Sequence, residues 1–174
     1  MDGLKIWTVG HSNVPFEALL DALRSADIQL LFDVRMYPRS RRHPQFNQER
    51  LSQSLSEAGI EYRHMPSLGG RREPEADSVN LGLRDEGFRG FADYMQTREF
   101  DQAVAELAGA AAETRAAIMC AESVPWKCHR SLISDALTAR GVVVTHIIGS
   151  QHREHTLTPA VHLEGSRVTY PALL

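Results

Sequence analysis

Ala116-Ala117-Ile118-Met119-Cys120 leads through Ala121-Glu122-Ser123-Val124-Pro125-Trp126-Lys127 to Cys128-His129-Arg130, and the stretch closes on Val142-Val143-Val144-Thr145-His146-Ile147-Ile148. The first five residues read as a buried strand. Val124 to Lys127 reads as a turn. Leu132, Ile133, Ala136 and Leu137 then recur at helical spacing, so a helix is predicted over 128–140. Gly141 supplies its stop. The β-branched run that follows is a second strand. Strand, helix and strand in that order form the unit from which parallel sheets are built.

The same alternation extends towards the N-terminus. Ile6 to Val9 is a short strand ending in Gly10-His11-Ser12-Asn13. A helix follows, with Asn13 as its expected cap and Pro15 in its first turn. Phe16, Leu19, Leu20 and Leu23 form its inward face. Leu30 to Val34 is a second strand, and Ile60 to Met65 a weaker third. Between them Leu51, Leu55 and Ala58 mark a helix that Gly59 closes. Pro66 to Gly87 has no periodicity, and helix resumes from Phe88, with Phe100, Ala103, Val104 and Leu107 facing inward. After Gln151 two short β-like stretches flank Glu164-Gly165, as a terminal hairpin or an edge strand. The expected fold is one α/β domain over 1–174. It has a mostly parallel sheet of about five strands, helices on both faces and a short C-terminal β extension over 148–174.

With 174 residues, 43% of them apolar and 24% charged, the chain suits a soluble domain with a sizeable core. Its net charge of -3 gives no global attraction to nucleic acid or anionic membrane, so any affinity for phosphate must be local. No apolar run approaches the roughly 20 residues that span a bilayer, and the start does not read as a signal peptide. Two cysteines are too few for a disulfide scaffold. A cytoplasmic protein is expected. Lys5 and Lys127 are the only lysines, so the cationic surface is almost all arginine, the side chain suited to bidentate phosphate recognition.

In open α/β sheets ligands bind at the carboxyl ends of the strands. Four polar clusters directly follow predicted strands, and a parallel sheet brings all four to one rim. They are Gly10-His11-Ser12; Asp33 with the basic run from Arg35 through Arg39, Arg41 and Arg42 to Asn47; Gly69-Gly70; and Cys120 to Arg130. Cys128 at the expected helix start is favoured as a thiolate by the helix dipole and by its neighbours. Glu122 and His11 are candidate proton carriers and His129 a further catalytic candidate. Gly10, Ser12, Asp33, Arg35, Arg39, Arg41, Arg42, Asn47, Gly69, Gly70, Cys120 and Arg130 are candidates for holding substrate. A purely structural reading stands beside each of these: buried free cysteines commonly fill cores, and a charge run is commonly a solvated face. Zinc ligation by Cys120, Cys128, His129 and His11 lacks the paired short spacing of such sites, so no metal is assigned and no cofactor is identified.

Several stretches together resemble the domain-of-unknown-function 488 family. They are Thr8-Val9-Gly10-His11-Ser12, Phe32-Asp33-Val34-Arg35, Pro38-Arg39-Ser40-Arg41, Phe46-Asn47, Leu68-Gly69-Gly70, Gly90-Phe91-Ala92-Asp93-Tyr94-Met95, and Met119-Cys120-Ala121-Glu122 with Cys128-His129-Arg130-Ser131. The resemblance runs from about Thr8 to Ile147. It implies a bacterial or archaeal intracellular α/β domain with these motifs as a shared site, and it carries no reaction.

Three functions fit the rim. One is an enzyme acting on a small phosphorylated molecule, a nucleotide or a nucleic-acid end. The spacing lacks the Cys-x5-Arg loop of cysteine phosphatases: that position is Trp126 counted from Cys120 and Ser134 counted from Cys128. The second is a nucleic-acid-binding module gripping the backbone through Arg41, Arg42, Arg71 and Arg72. The third is a thiol redox or metal-binding protein. The first is the expected one. The sequence does not address oligomeric state.

Overall fold

The central strands are buried on both faces, as a parallel sheet covered by helices requires, in the computed structural model, which describes residues 3–172. The strands are β1 (Lys5–Gly10), β2 (Leu30–Asp33), β3 (Glu61–His64), β4 (Ala116–Cys120), β5 (Val143–Ile148), β6 (Gln151–Glu154), β7 (His162–Glu164) and β8 (Arg167–Thr169). The helices are α1 (Phe16–Ser25), α2 (Gln48–Glu57), α3 (Glu86–Tyr94), α4 (Arg98–Glu113) and α5 (Arg130–Ala139). The main sheet has six strands in the order β3-β2-β4-β1-β5-β6. β1 to β5 are mutually parallel, and β6 turns back antiparallel on β5. Of the two alternatives for the stretches around Glu164-Gly165, β7–β8 is the hairpin, turning at Gly165, and the sheet gains a further edge strand, β6, that the sequence reading does not include.

Each face of the sheet carries its own core. Trp7, Val9, Leu31 and Met119 meet Leu19 and Leu23 of α1 and Leu51 and Leu55 of α2. On the other face Ile6, Phe32, Ile118 and Val144 meet Phe91 of α3, Leu107 of α4 and Leu132 of α5. α1 and α2 thus leave the sheet towards one face, and α5 leaves β4 towards the other. β4 lies between β1 and β2, so its loop emerges with chains departing the opposite way on either side. Such a point opens a crevice in the rim.

Some element boundaries differ from those the sequence predicts. α1 begins at Phe16 with Pro15 at the cap position, so Asn13 does not cap it. α5 begins at Arg130 rather than Cys128. Pro125–Lys127 forms a 3₁₀ turn and Cys128 is extended, with φ -138 and ψ 147. The long segment after Met65 contains a 3₁₀ turn, Pro66–Leu68, and gives way to α3 at Glu86, where the Asp85 carboxylate accepts from the Phe88 N–H at 2.9 Å.

α5 is enclosed almost all round: the eight residues from Arg130 to Leu137 are buried. One side packs on the sheet and another lies beneath the C-terminal extension, with Val168 and Tyr170 in the same core. Asp135 holds that extension down. Its carboxylate accepts from the Tyr170 hydroxyl at 2.6 Å, the His155 Nε2–H at 2.7 Å and the Thr158 N–H at 3.0 Å. Burial and the facing Asp135 charge push the Tyr170 phenol well above its ordinary value. Removing the carboxylate strands three buried donors, each worth about 1–3 kcal/mol when left unpaired. Asp135→Ala is expected to lose about 3 kcal/mol or more in urea unfolding and to open the segment after His155 to limited proteolysis.

Candidate functional site

Gly10 ends β1 where the 121–123 loop crosses it. A side chain there would place its first carbon 1.6 Å from the Glu122 carbonyl oxygen, so only glycine fits. The close approach lets the His11 and Ser12 N–H groups bond the Cys120 and Ala121 carbonyls at 3.0 and 2.9 Å. Ser12 adopts a left-handed backbone (φ 49) to do so, a strained conformation for a residue with a side chain.

The loop after β4 is organised from inside by Arg130, whose side chain is fully buried. Its Nη1 donates to Cys120 Sγ at 3.0 Å and to the Glu122 carbonyl at 2.6 Å, and its Nη2 donates to the Ser123 carbonyl at 3.1 Å. Its Nε is buried without a hydrogen-bond partner. Among the described residues no carboxylate pairs with it. A buried cation without a counter-anion is strongly disfavoured, and the group it meets in place of a carboxylate is the Cys120 sulfur. Burial pushes the Cys120 thiol up, but the hydrogen bond from Cys128 and the Arg130 charge outweigh that and hold it down at about 7. Burial and the neighbouring Cys120 push the Cys128 thiol up instead. The helix-dipole argument favours Cys128 as the thiolate; in the structure the two thiols form one buried pair, with the Arg130 guanidinium on the Cys120 side. Cys128 Sγ still accepts the Arg130 N–H of the helix start at 3.5 Å, and burial is what opposes its ionisation.

A second buried hub holds the end of β2. Asp33 takes Arg35 through Oδ1 at 2.9 Å and Oδ2 at 2.7 Å, and also accepts from the Tyr62 hydroxyl. Arg35 further donates to the Phe46 carbonyl at 2.7 Å and to His11 Nε2 at 3.2 Å. His11 donates through Nδ1 to its neighbour's carbonyl at 2.7 Å and stacks on Phe46 with ring centroids 4.4 Å apart. Both ring nitrogens of His11 are thus occupied. His129 is held as firmly. Its Nε2–H is shared between the Val34 and Leu68 carbonyls at 3.0 and 2.9 Å, and its Nδ1 lies 3.4 Å from Cys128 Sγ. The ring lies against Gly70, where an added carbon would fall 2.5 Å from Nδ1. Gly69 likewise allows the loop to pass Met36.

Together these groups border a cleft of about 580 Å³ at the rim beside β4. Of the residues predicted from sequence, His11, Arg35, Arg39, Gly70, Cys120, Glu122, Cys128 and His129 line it. Glu122 is solvent-exposed, so its carboxylate is not desolvated as a position at a strand end suggests. Gly10, Ser12, Asp33 and Gly69 support the walls from behind, and Arg130 lies beneath the floor with its guanidinium turned on the loop. Asn47 clamps the basic loop by accepting the Ser40 N–H at 2.6 Å. Arg41 and Arg42 are exposed away from the cleft, and Arg72 stacks over the Tyr94 ring at 3.6 Å. Sequence reasoning misses Tyr62 and the placement of Lys127 in the cleft wall. The alternation of Glu61-Tyr62-Arg63-His64 signals that Tyr62 and His64 share a face; nothing local marks Lys127.

The family described as Domain of unknown function DUF488 matches residues 15–137. The chain belongs to this family. The matched span of the DUF488 domain includes both buried hubs apart from His11, and all of the loop from Cys120 to Arg130. No curated protein and no solved structure matches the chain. No helix among the described residues is long and apolar enough to cross a membrane, and none of their side chains form a cluster of three or more His, Cys, Asp or Glu arranged to hold a metal ion.

Three buried histidines make the stability of the fold depend on pH. Burial lowers His11 and His129 to about 4 and His146 to about 3, against roughly 6.5 for an unfolded histidine. Between those values the unfolded chain binds protons that the folded one refuses. Stability is complete above about pH 6.5 and falls as pH drops towards 4, by about 1.4 kcal/mol per unit for each such histidine. Unfolding free energies from urea titrations at pH 7.5 and 5 are expected to differ by several kcal/mol in favour of the higher pH, and equal values would contradict the neutral, buried rings.

Proposed function

We propose that the DUF488 domain is an enzyme that binds a small phosphorylated molecule in the Cys120 cleft and uses the Cys120 thiolate as its nucleophile. The observation that carries the reading is the buried, carboxylate-free Arg130 set 3.0 Å from that sulfur. A thiol held down by an adjacent cation has the electrostatic character of a reactive cysteine; Cys120 is 2% exposed, so a substrate meets it only through the cleft wall. Arg39, Arg71 and Lys127 are exposed at the wall and supply mobile donors for phosphate oxygens. They face two carboxylates, Glu122 and Asp85, and Asp85 is partly engaged in capping α3. Glu122 carries the free carboxylate nearest the loop and is the candidate proton carrier. His11, His129 and Arg35 have their polar atoms committed, so they act as positioning residues. Cys128 supports the acidity of Cys120.

Binding of phosphate separates this reading from a redox protein, and binding that Arg41→Ala and Arg42→Ala leave unchanged separates it from a nucleic-acid module. Inorganic phosphate and a nucleoside monophosphate are expected to raise the melting temperature and to shift backbone resonances of residues 35–43. Arg39→Ala, Arg71→Ala and Lys127→Ala remove exposed side chains and are each expected to weaken that binding about tenfold, the scale of one charge-assisted hydrogen bond. If neither compound moves the melting temperature or those resonances, phosphate binding at this cleft is wrong.

A further inference from the structure

We propose that the protein has a second ligand site, on the opposite side of the Pro125–Lys127 turn and largely beyond the residues matched by DUF488, and that it takes a planar nitrogen heterocycle of nucleoside size. The site is a cavity of about 680 Å³ between that turn, the start of α5 and the segment after β6, within the range of pockets that hold small organic molecules. Although both use the same turn, the two sites share no lining residue: Lys127 faces the Cys120 cleft and Trp126 faces this one.

The floor of the cavity is polar and locked. His146, 4% exposed, lines it together with His155. Thr8 Oγ1 meets His146 Nδ1 at 2.5 Å, His146 Nε2 meets His155 Nδ1 at 2.8 Å, and His155 Nε2 meets Asp135 at 2.7 Å. Every ring nitrogen in this chain has a partner. One consistent set of protons satisfies them all with both rings neutral: Thr8 donates to His146, His146 to His155, and His155 to the carboxylate. Asp135 is also the anchor of the C-terminal extension, so the extension cannot shift without breaking the floor. A shape fixed in this way before binding reduces the ordering that binding must impose.

The walls choose the ligand. Trp126 is 59% exposed, an unusual state for the largest apolar side chain. It stands in the cavity with Ile148, Leu157 and Pro159, which supply aliphatic surface suited to a flat ring. At the rim, Arg153 offers donors and Glu154 offers acceptors, so the local charge is balanced. The hydroxyls of Thr156 and Thr158 add groups able to do either. A balanced rim does not select a strongly anionic molecule. It matches a ring whose edge carries donors and acceptors together, as a nucleobase does. This inference does not rest on the reading of the Cys120 cleft, and its probes lack phosphate.

Trp126 is also the reporter. The chain's other tryptophan, Trp7, is buried beneath Lys5 and Arg115, so quenching by an added ligand reads Trp126. Adenosine, guanosine, cytidine and uridine are titrated separately, with fluorescence excited on the red edge of the indole band and saturation-transfer NMR in parallel. At least one nucleoside is expected to quench saturably and to show NMR contact. Trp126→Ala, a change at an exposed position, is expected to weaken the NMR-detected binding about tenfold or more, the scale of losing a buried aromatic contact. Inorganic phosphate is expected not to compete. No saturable binding by any of the four nucleosides overturns the proposal, as does binding that Trp126→Ala leaves unchanged. Competition by phosphate overturns the separation of the two sites.

Discussion

A positive charge sealed inside the protein without a carboxylate governs the rim of this fold. Arg130 cannot reach water, and its guanidinium is directed at one sulfur and two loop carbonyls. In a medium of low polarity such a cation draws towards itself whatever negative charge its surroundings can produce. Cys120 is the group placed to produce it. The same contacts hold the Glu122 and Ser123 carbonyls inward, and the loop lies on the end of β1, which requires glycine at position 10. One interaction therefore shapes the loop, sets the character of the thiol and limits what β1 can carry.

Around that centre the fold spends its polar side chains on holding one another. Asp33, Arg35, His11 and Tyr62 form one closed network, and His129 ties the end of β2 and the Leu68 turn to the start of α5. Buried polar networks of this kind rigidify a site when every member is satisfied. Here the satisfied histidines are neutral and have no nitrogen left for a substrate. The groups exposed at the surface of the cleft are the Glu122 carboxylate and the cations of Arg39, Arg71 and Lys127; the Cys120 sulfur lies buried behind them.

Much of this was legible in the sequence, for physical reasons. Alternating apolar runs closed by Gly59 and Gly141 mark a parallel α/β sheet, and that topology alone brings residues 10–12, 33–47, 69–70 and 120–130 to one rim. The roles within the rim were less legible. An arginine reads the same whether it faces a phosphate or lies sealed under a loop, so Arg130 and Arg35 could not be told from Arg39. Cys128 reads as the first helical residue, but Pro125 diverts the chain into a 3₁₀ turn and the helix starts at Arg130, whose N–H bonds the Cys128 sulfur. Asp135 lies on a helix whose apolar pattern is strong, and only the packing of the C-terminal extension reveals that its carboxylate is enclosed. Ties such as Asp135 to Tyr170 and Thr8 to His146 join residues far apart in the chain, and local patterns carry no trace of them.

The central claim is that Arg130 makes Cys120 the reactive thiol of this DUF488 domain. The most direct measurement is the rate at which iodoacetamide modifies each cysteine of the intact protein, followed by peptide mass analysis across pH. The account predicts that Cys120 is modified first, with a rate that rises through a midpoint at about 7, while Cys128 stays slow over the same range. A Cys120 profile with the ordinary thiol midpoint of about 8.5, or faster modification of Cys128, would contradict it.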